Sequence, residues 1–234
     1  MLRRRWVLLA AVALVAAAAT TAHAATLTLT SKTLFAMTSP VSIPQVQLVS
    51  DTFTSGSPVT LEGRAATTGQ TWDVINRTLQ VTGTQVQCTD CNGGNLGYAV
   101  INAGFSQVTA TVDIQKNGTG TSGAAGLVLN ANATGAQSID VLWDNGVVRL
   151  YRYTGDTLTQ LAQANAAAIS TTVGMPLVVT YAAGTYSVSF NGVALFNYTL
   201  TVADQTTFGS NTYFGVAFNA DNDRTRLDNF GVQQ

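Results

Sequence analysis

Between residues 137 and 153 apolar and polar positions alternate on both sides of Asn145-Gly146. A two-residue turn of this kind joins antiparallel strands and fixes their register. With Asp144 opposite Val147, the pattern pairs Trp143 with Val148, Leu142 with Arg149, Val141 with Leu150, Asp140 with Tyr151 and Ser138 with Tyr153. Ile139, Val141, Trp143, Val148 and Leu150 then share one apolar face, the predicted core side. The reverse face carries Ser138, Asp140, Leu142, Arg149, Tyr151 and Tyr153, a mixture of ring, hydroxyl and charge that suits either water or a sugar. Asp140 and Arg149, diagonal neighbours, are expected to form an exposed ion pair.

The same period recurs along the chain. Strand-like runs fall at 46–53, 79–88, 98–101, 108–115, 126–130, 138–142, 147–153, 158–162, 177–181, 185–190, 193–198, 213–218 and 226–232. Turn residues separate them at short spacing, which predicts an all-β sandwich. A second tight turn, Asn191-Gly192, is read as pairing Phe190 with Val193, Val188 with Leu195 and Tyr186 with Asn197. That register puts Phe196 and Tyr198 on the opposite, hydroxyl-rich side. Residues 161–168 are rich in alanine but lack caps and an amphipathic stripe, so they read as strand followed by loop.

The start of the chain has a different character. Arg3, Arg4 and Arg5 precede an apolar run over 6–19 and an Ala22-His23-Ala24 cleavage site, the pattern of a signal peptide over residues 1–24. The run is shorter than the ~20 apolar residues of a membrane span. A secreted, extracellular protein is therefore expected, with no membrane partner once the leader is cut. Residues 25–45 form an N-terminal arm or connector, in which 25–30 alternates like a strand, and 46–234 form the domain.

Charge and chemistry narrow the function. Three of the 11 basic side chains and none of the 12 acidic ones lie in the leader, so the remainder is acidic and offers no basic patch for nucleic acid. The one histidine, His23, leaves with the leader, which excludes histidine triads and histidine metal sites. Cys88 and Cys91 are expected to form a local disulfide in an oxidising compartment.

Asp51-Thr52-Phe53, Leu61, Gly63-Arg64, Thr68-Gly69-Gln70 and Trp72 near the start, and Thr225-Arg226-Leu227-Asp228-Asn229-Phe230 at the close, stand in the order and spacing of a known group. The chain resembles concanavalin A-like lectin/glucanase domains, the group that includes laminin-G-like modules of secreted bacterial and phage-borne proteins. This resemblance implies an antiparallel jelly-roll β-sandwich over 46–234, preceded by the cleaved signal peptide. Some similar domains are retaining glycosidases with a Glu-x-Asp-x-x-Glu strand. Here Ser138 and Trp143 occupy both glutamate positions, Asp140 alone remains, and Asp144 is expected to aim away from it. Calcium is common in similar domains, and Asp221 and Asp223 are candidate ligands; no other cofactor is expected.

The function expected from these features is a non-catalytic carbohydrate-binding or cell-surface recognition module. Its partner is a glycan or cell-surface polysaccharide, met by Asp140, Arg149, Tyr151 and Tyr153. The alternatives are a structural protein that self-associates through its N-terminal arm, and a glycan hydrolase using another carboxylate pair.

Overall fold

The structure, a computed structural model, describes residues 45–91, 96–118, 123–219 and 224–234. The leader, residues 25–44 of the arm, and Asp221 and Asp223 lie outside the described residues. Among those described, two antiparallel sheets enclose the core and one short helix interrupts the strands. One sheet runs β14 (Val193–Thr199), β13 (Thr185–Phe190), β12 (Met175–Ala182), β7 (Thr109–Lys116), β16 (Thr225–Gln233), β5 (Gln85–Cys88), β4 (Leu79–Thr82) and β2 (Val59–Thr60), with β1 (Gln47–Asp51) also on β16. The other runs β11 (Thr157–Asn165), β10 (Val147–Thr154), β9 (Gln137–Asp144), β8 (Ala124–Ala131), β15 (Tyr213–Asn219), β6 (Leu96–Asn102) and β3 (Asp73–Asn76).

The register predicted for the first hairpin is the one observed, from Asp144 opposite Val147 to Ser138 opposite Tyr153. Asn145 and Gly146 take φ of 48° and 84°, the left-handed pair that a tight hairpin needs. Ile139, Val141, Trp143, Val148 and Leu150 are buried between the sheets, where each aliphatic side chain contributes about 1.5–3 kcal/mol.

The second hairpin departs from its predicted register. Phe190 does face Val193, but Val188 pairs with Phe196 and Tyr186 with Tyr198, because a bulge leaves Leu195 as an extra residue on β14. One added residue flips everything beyond it to the other face. Phe196 and Tyr198 therefore pack against the core instead of facing away from it. The neighbouring edge strand β11 carries its own bulge at Leu161, and both leucines close the side of the sandwich where β11 and β14 meet.

Several shorter features escaped the pattern, β2 and β3 among them, which lie outside every predicted run. The run over 79–88 is a hairpin folded at Gly83-Thr84, and residues 202–208 form helix α1 (Val202–Phe208). Thr201 caps α1, its hydroxyl accepting from the Asp204 N–H at 3.1 Å.

The ends of the domain are tied by backbone and side chain alike. Val46 and Gln234 exchange two hydrogen bonds, 2.8 and 3.0 Å. Asp51, fully buried, accepts from the Phe53 N–H at 2.8 Å and the Trp72 indole at 2.7 Å, and pairs with Arg64. Trp72 lies between Phe53 and Phe230, with ring centroids 5.7 and 5.1 Å away. The expected Cys88–Cys91 disulfide is formed and buried, packed on Gly97.

Candidate functional site

The outer face of the seven-stranded sheet has a second apolar cluster as its floor: Leu96, Tyr98 and Val100 of β6, Val128 of β8, Leu142 of β9, Tyr153 of β10 and Ala217 of β15. Asp140 sits within this face. Its burial corrects the expectation of an exposed polar surface, since Asp140 is 0% and Tyr153 6% exposed, while Arg149 and Tyr151 are half-buried. Alternation assigned the right face, but alternation does not report what packs against it.

Asp140 accepts from the Ser138 hydroxyl at 2.7 Å through Oδ1, and its Oδ2 has no partner. Burial pushes its carboxyl up to about 7, with the Ser138 hydrogen bond pulling the other way. Beside it, the Tyr98 hydroxyl donates to the Gly135 carbonyl at 2.6 Å and the Tyr153 hydroxyl to Asp156 at 2.7 Å. The two rings meet edge to face at 5.6 Å. Burial raises the phenol pKa of Tyr98, Tyr151 and Tyr153.

Arg149 does not reach Asp140 as expected. It pairs with Asp144 and points its Nε toward Gln163 Oε1 at 3.4 Å. β9 pairs with both neighbours without a bulge, so Asp140, Leu142 and Asp144 share one face and Trp143 turns into the core, its indole donating to the Ala167 carbonyl at 2.9 Å. The expectation that Asp144 aims away from Asp140 is thereby corrected. Four residues along one strand separate the two carboxylates by ~13 Å at ~3.3 Å per residue. Glycosidase pairs stand ~5–9.5 Å apart.

A groove that no sequence pattern announced lies at one end of the sandwich. It holds about 450 Å³ between α1 and the ends of β9, β10 and β11. The spacing Thr201-x-x-Asp204 fits a helix cap and marks the start of α1, one wall of this groove. Among the described residues the one cluster with metal-ligand spacing is Cys88, Asp90 and Cys91, whose thiols are consumed by the disulfide.

Three solved structures share this arrangement of sheets. The chain is similar to carbohydrate-binding module CBM66 from Bacillus subtilis, with TM-score 0.58, 14% identity, and 70% of this chain and 95% of that one covered. The fold is a concanavalin A-like jelly roll. The Ca2+/Man2-bound exoplasmic/lumenal domain of VIP36 superimposes with TM-score 0.54 and 11% identity, over 75% of this chain and 86% of its own. SCLam, a non-specific endo-β-1,3(4)-glucanase from family GH16, gives TM-score 0.53 and 14% identity over 84% and 94%. No protein-family model matches the chain, and no curated sequence does. At these identities the likeness is one of fold, and a jelly roll of this kind carries both binding and hydrolytic sites.

Tyr153→Ala removes a ring that is part of the floor and leaves Asp156 without its donor. It is expected to lower stability by about 3 kcal/mol or more, read as a shift of the urea midpoint. Tyr151→Ala, at the half-open rim, is expected to lose about 1 kcal/mol.

Proposed function

We propose that the chain is a secreted, non-catalytic carbohydrate-binding module whose outer sheet face recognises a glycan or cell-surface polysaccharide. The observation that carries this reading is the placing of carboxylates on β9. Asp140 is buried and Asp144 is held by Arg149, too far along the strand to work with Asp140 as an acid and nucleophile. What remains suits recognition. Tyr151 offers a half-exposed ring, and Arg149 and Asp144 offer donors and acceptors beside it. The likeness to a carbohydrate-binding module and to a lumenal domain solved with a mannose disaccharide supports the same class of ligand.

A glycan array followed by calorimetry tests this, with and without calcium because Asp221 and Asp223 are candidate ligands. Tyr151→Ala is expected to weaken binding at least about tenfold, equal to ~1.4 kcal/mol, with a small change in melting temperature. Unchanged affinity in both Tyr151→Ala and Arg149→Gln, or turnover of the bound glycan at enzyme-like rates, would overturn the reading.

Secretion has its own measurement. Cleavage after Ala24 predicts an exported chain that begins at Ala25, with an intact mass two hydrogens below that of the dithiol form because of the Cys88–Cys91 bond. No helix among the described residues is long and apolar enough to cross a membrane.

A further inference from the structure

We propose that the groove between α1 and the end of the seven-stranded sheet is a second saccharide site, taking a neutral hexose unit; its ligand class rests on the glycan-binding reading, its residues do not. The inner face of this sheet is apolar until it reaches the groove. On β10 the row Val148, Leu150 continues as Arg152 and Thr154; on β9, Ile139 gives way to Gln137; on β11, Ala164 and Ala162 give way to Thr159 and Thr157. Polar side chains thus stand where the core pattern would place aliphatic ones, and they line open space.

The groove is also furnished for hydroxyl groups. The Arg152 guanidinium donates through Nη1 to Asp204 Oδ1 at 3.0 Å, and Asp204, 6% exposed, accepts from the Thr201 hydroxyl at 2.9 Å through its other oxygen. Among the described residues the Arg152 guanidinium makes no other hydrogen bond. The side chains of Gln137, Thr154, Thr157 and Thr159 have no hydrogen-bond partner among the described residues. Donors and acceptors placed side by side match the adjacent hydroxyls of a pyranose, each of which both gives and takes a hydrogen bond. Ala203, exposed on α1, supplies an apolar patch for a C–H face. The volume lies within the ~300–1,000 Å³ of small-molecule sites. Arg152 and Asp204 cancel in charge, so a neutral sugar fits this lining better than a uronate or an amino sugar.

The test is an NMR titration of the full chain with methyl glucoside, methyl galactoside and methyl mannoside, alongside methyl glucuronide. At least one neutral glycoside is expected to shift the amides of residues 152–159 and 203–207 in a saturable manner. Ala203→Tyr, which fills the groove from an exposed position, should weaken that response about tenfold or more, and the double variant Thr157→Val with Thr159→Val about threefold or more. Tyr151→Ala should leave it unchanged. Groove shifts that survive Ala203→Tyr, or that appear for none of the neutral glycosides, overturn the proposal, as does tighter binding of the glucuronide. If Tyr151→Ala abolishes all glycan binding, the groove proposal falls and the outer-face reading stands; if only the groove variants lose binding, the reverse holds.

Discussion

Asp51→Ala is expected to lower the unfolding free energy by about 3–5 kcal/mol. The carboxylate is fully buried and serves three donors at once: the Phe53 N–H, the Trp72 indole and the Arg64 guanidinium. Removing it strands a guanidinium that is itself mostly covered and leaves two buried N–H groups unsatisfied. The aromatic stack of Phe53, Trp72 and Phe230 then loses the anchor that sets its position. For a domain of this size the loss corresponds to a melting temperature lower by roughly 10 °C. Asp51→Asn, which still offers an acceptor, should fall between wild type and Asp51→Ala. A loss below about 1 kcal/mol for the alanine variant in urea unfolding would refute this account of the hub.

The second large effect depends on pH. Burial holds the Asp140 carboxyl at about 7, against ~3.9 in the unfolded chain. Between those values the folded chain keeps a proton that the unfolded chain has released, so stability falls as pH rises through this window and levels off above about 7. The whole window amounts to about 4 kcal/mol, most of it between pH 5 and 8. Burial also raises Asp228, which adds a slope of the same sign, so wild type alone does not isolate Asp140. Comparison with Asp140→Asn does, because that variant should lose most of the decline from pH 5 to pH 8 and overtake wild type on the alkaline side. Equal pH slopes in the two proteins would show that Asp140 does not carry the effect.

The residues that made the fold legible in the sequence are the same ones that hold it together. Asp51, Phe53, Arg64 and Trp72 lie within one opening segment and Phe230 near the other end of the domain, yet they converge on one buried cluster. The two Asn-Gly turns were equally readable, because left-handed backbone at two successive positions restricts the residue choice sharply. What the sequence concealed follows from the limits of a two-residue period. Leu195 looks like any apolar strand residue, and nothing in its neighbours marks it as the extra one in β14, so Phe196 and Tyr198 were assigned to the wrong face. α1 has only seven residues, too few for an apolar stripe to show, and its Thr206-Thr207 pair favours strand. On the outer face, alternation placed Asp140 and Tyr153 together correctly, but their burial depends on Tyr98, more remote in sequence, whose hydroxyl is held by the Gly135 carbonyl.

The double hydrogen bond between Val46 and Gln234 bears on how this domain would carry load. β1 and β16 run antiparallel with these two residues at the same end, so tension applied through residues 46 and 234 opens their ladder one rung at a time instead of loading all rungs together. Such a geometry yields at low force. A domain attached at both ends would peel from this corner first, β1 detaching from β16 from Gln47 toward Asp51, while the seven-stranded sheet, with Tyr151 and Arg149 on its outer face, remains folded until Asp51 itself is reached.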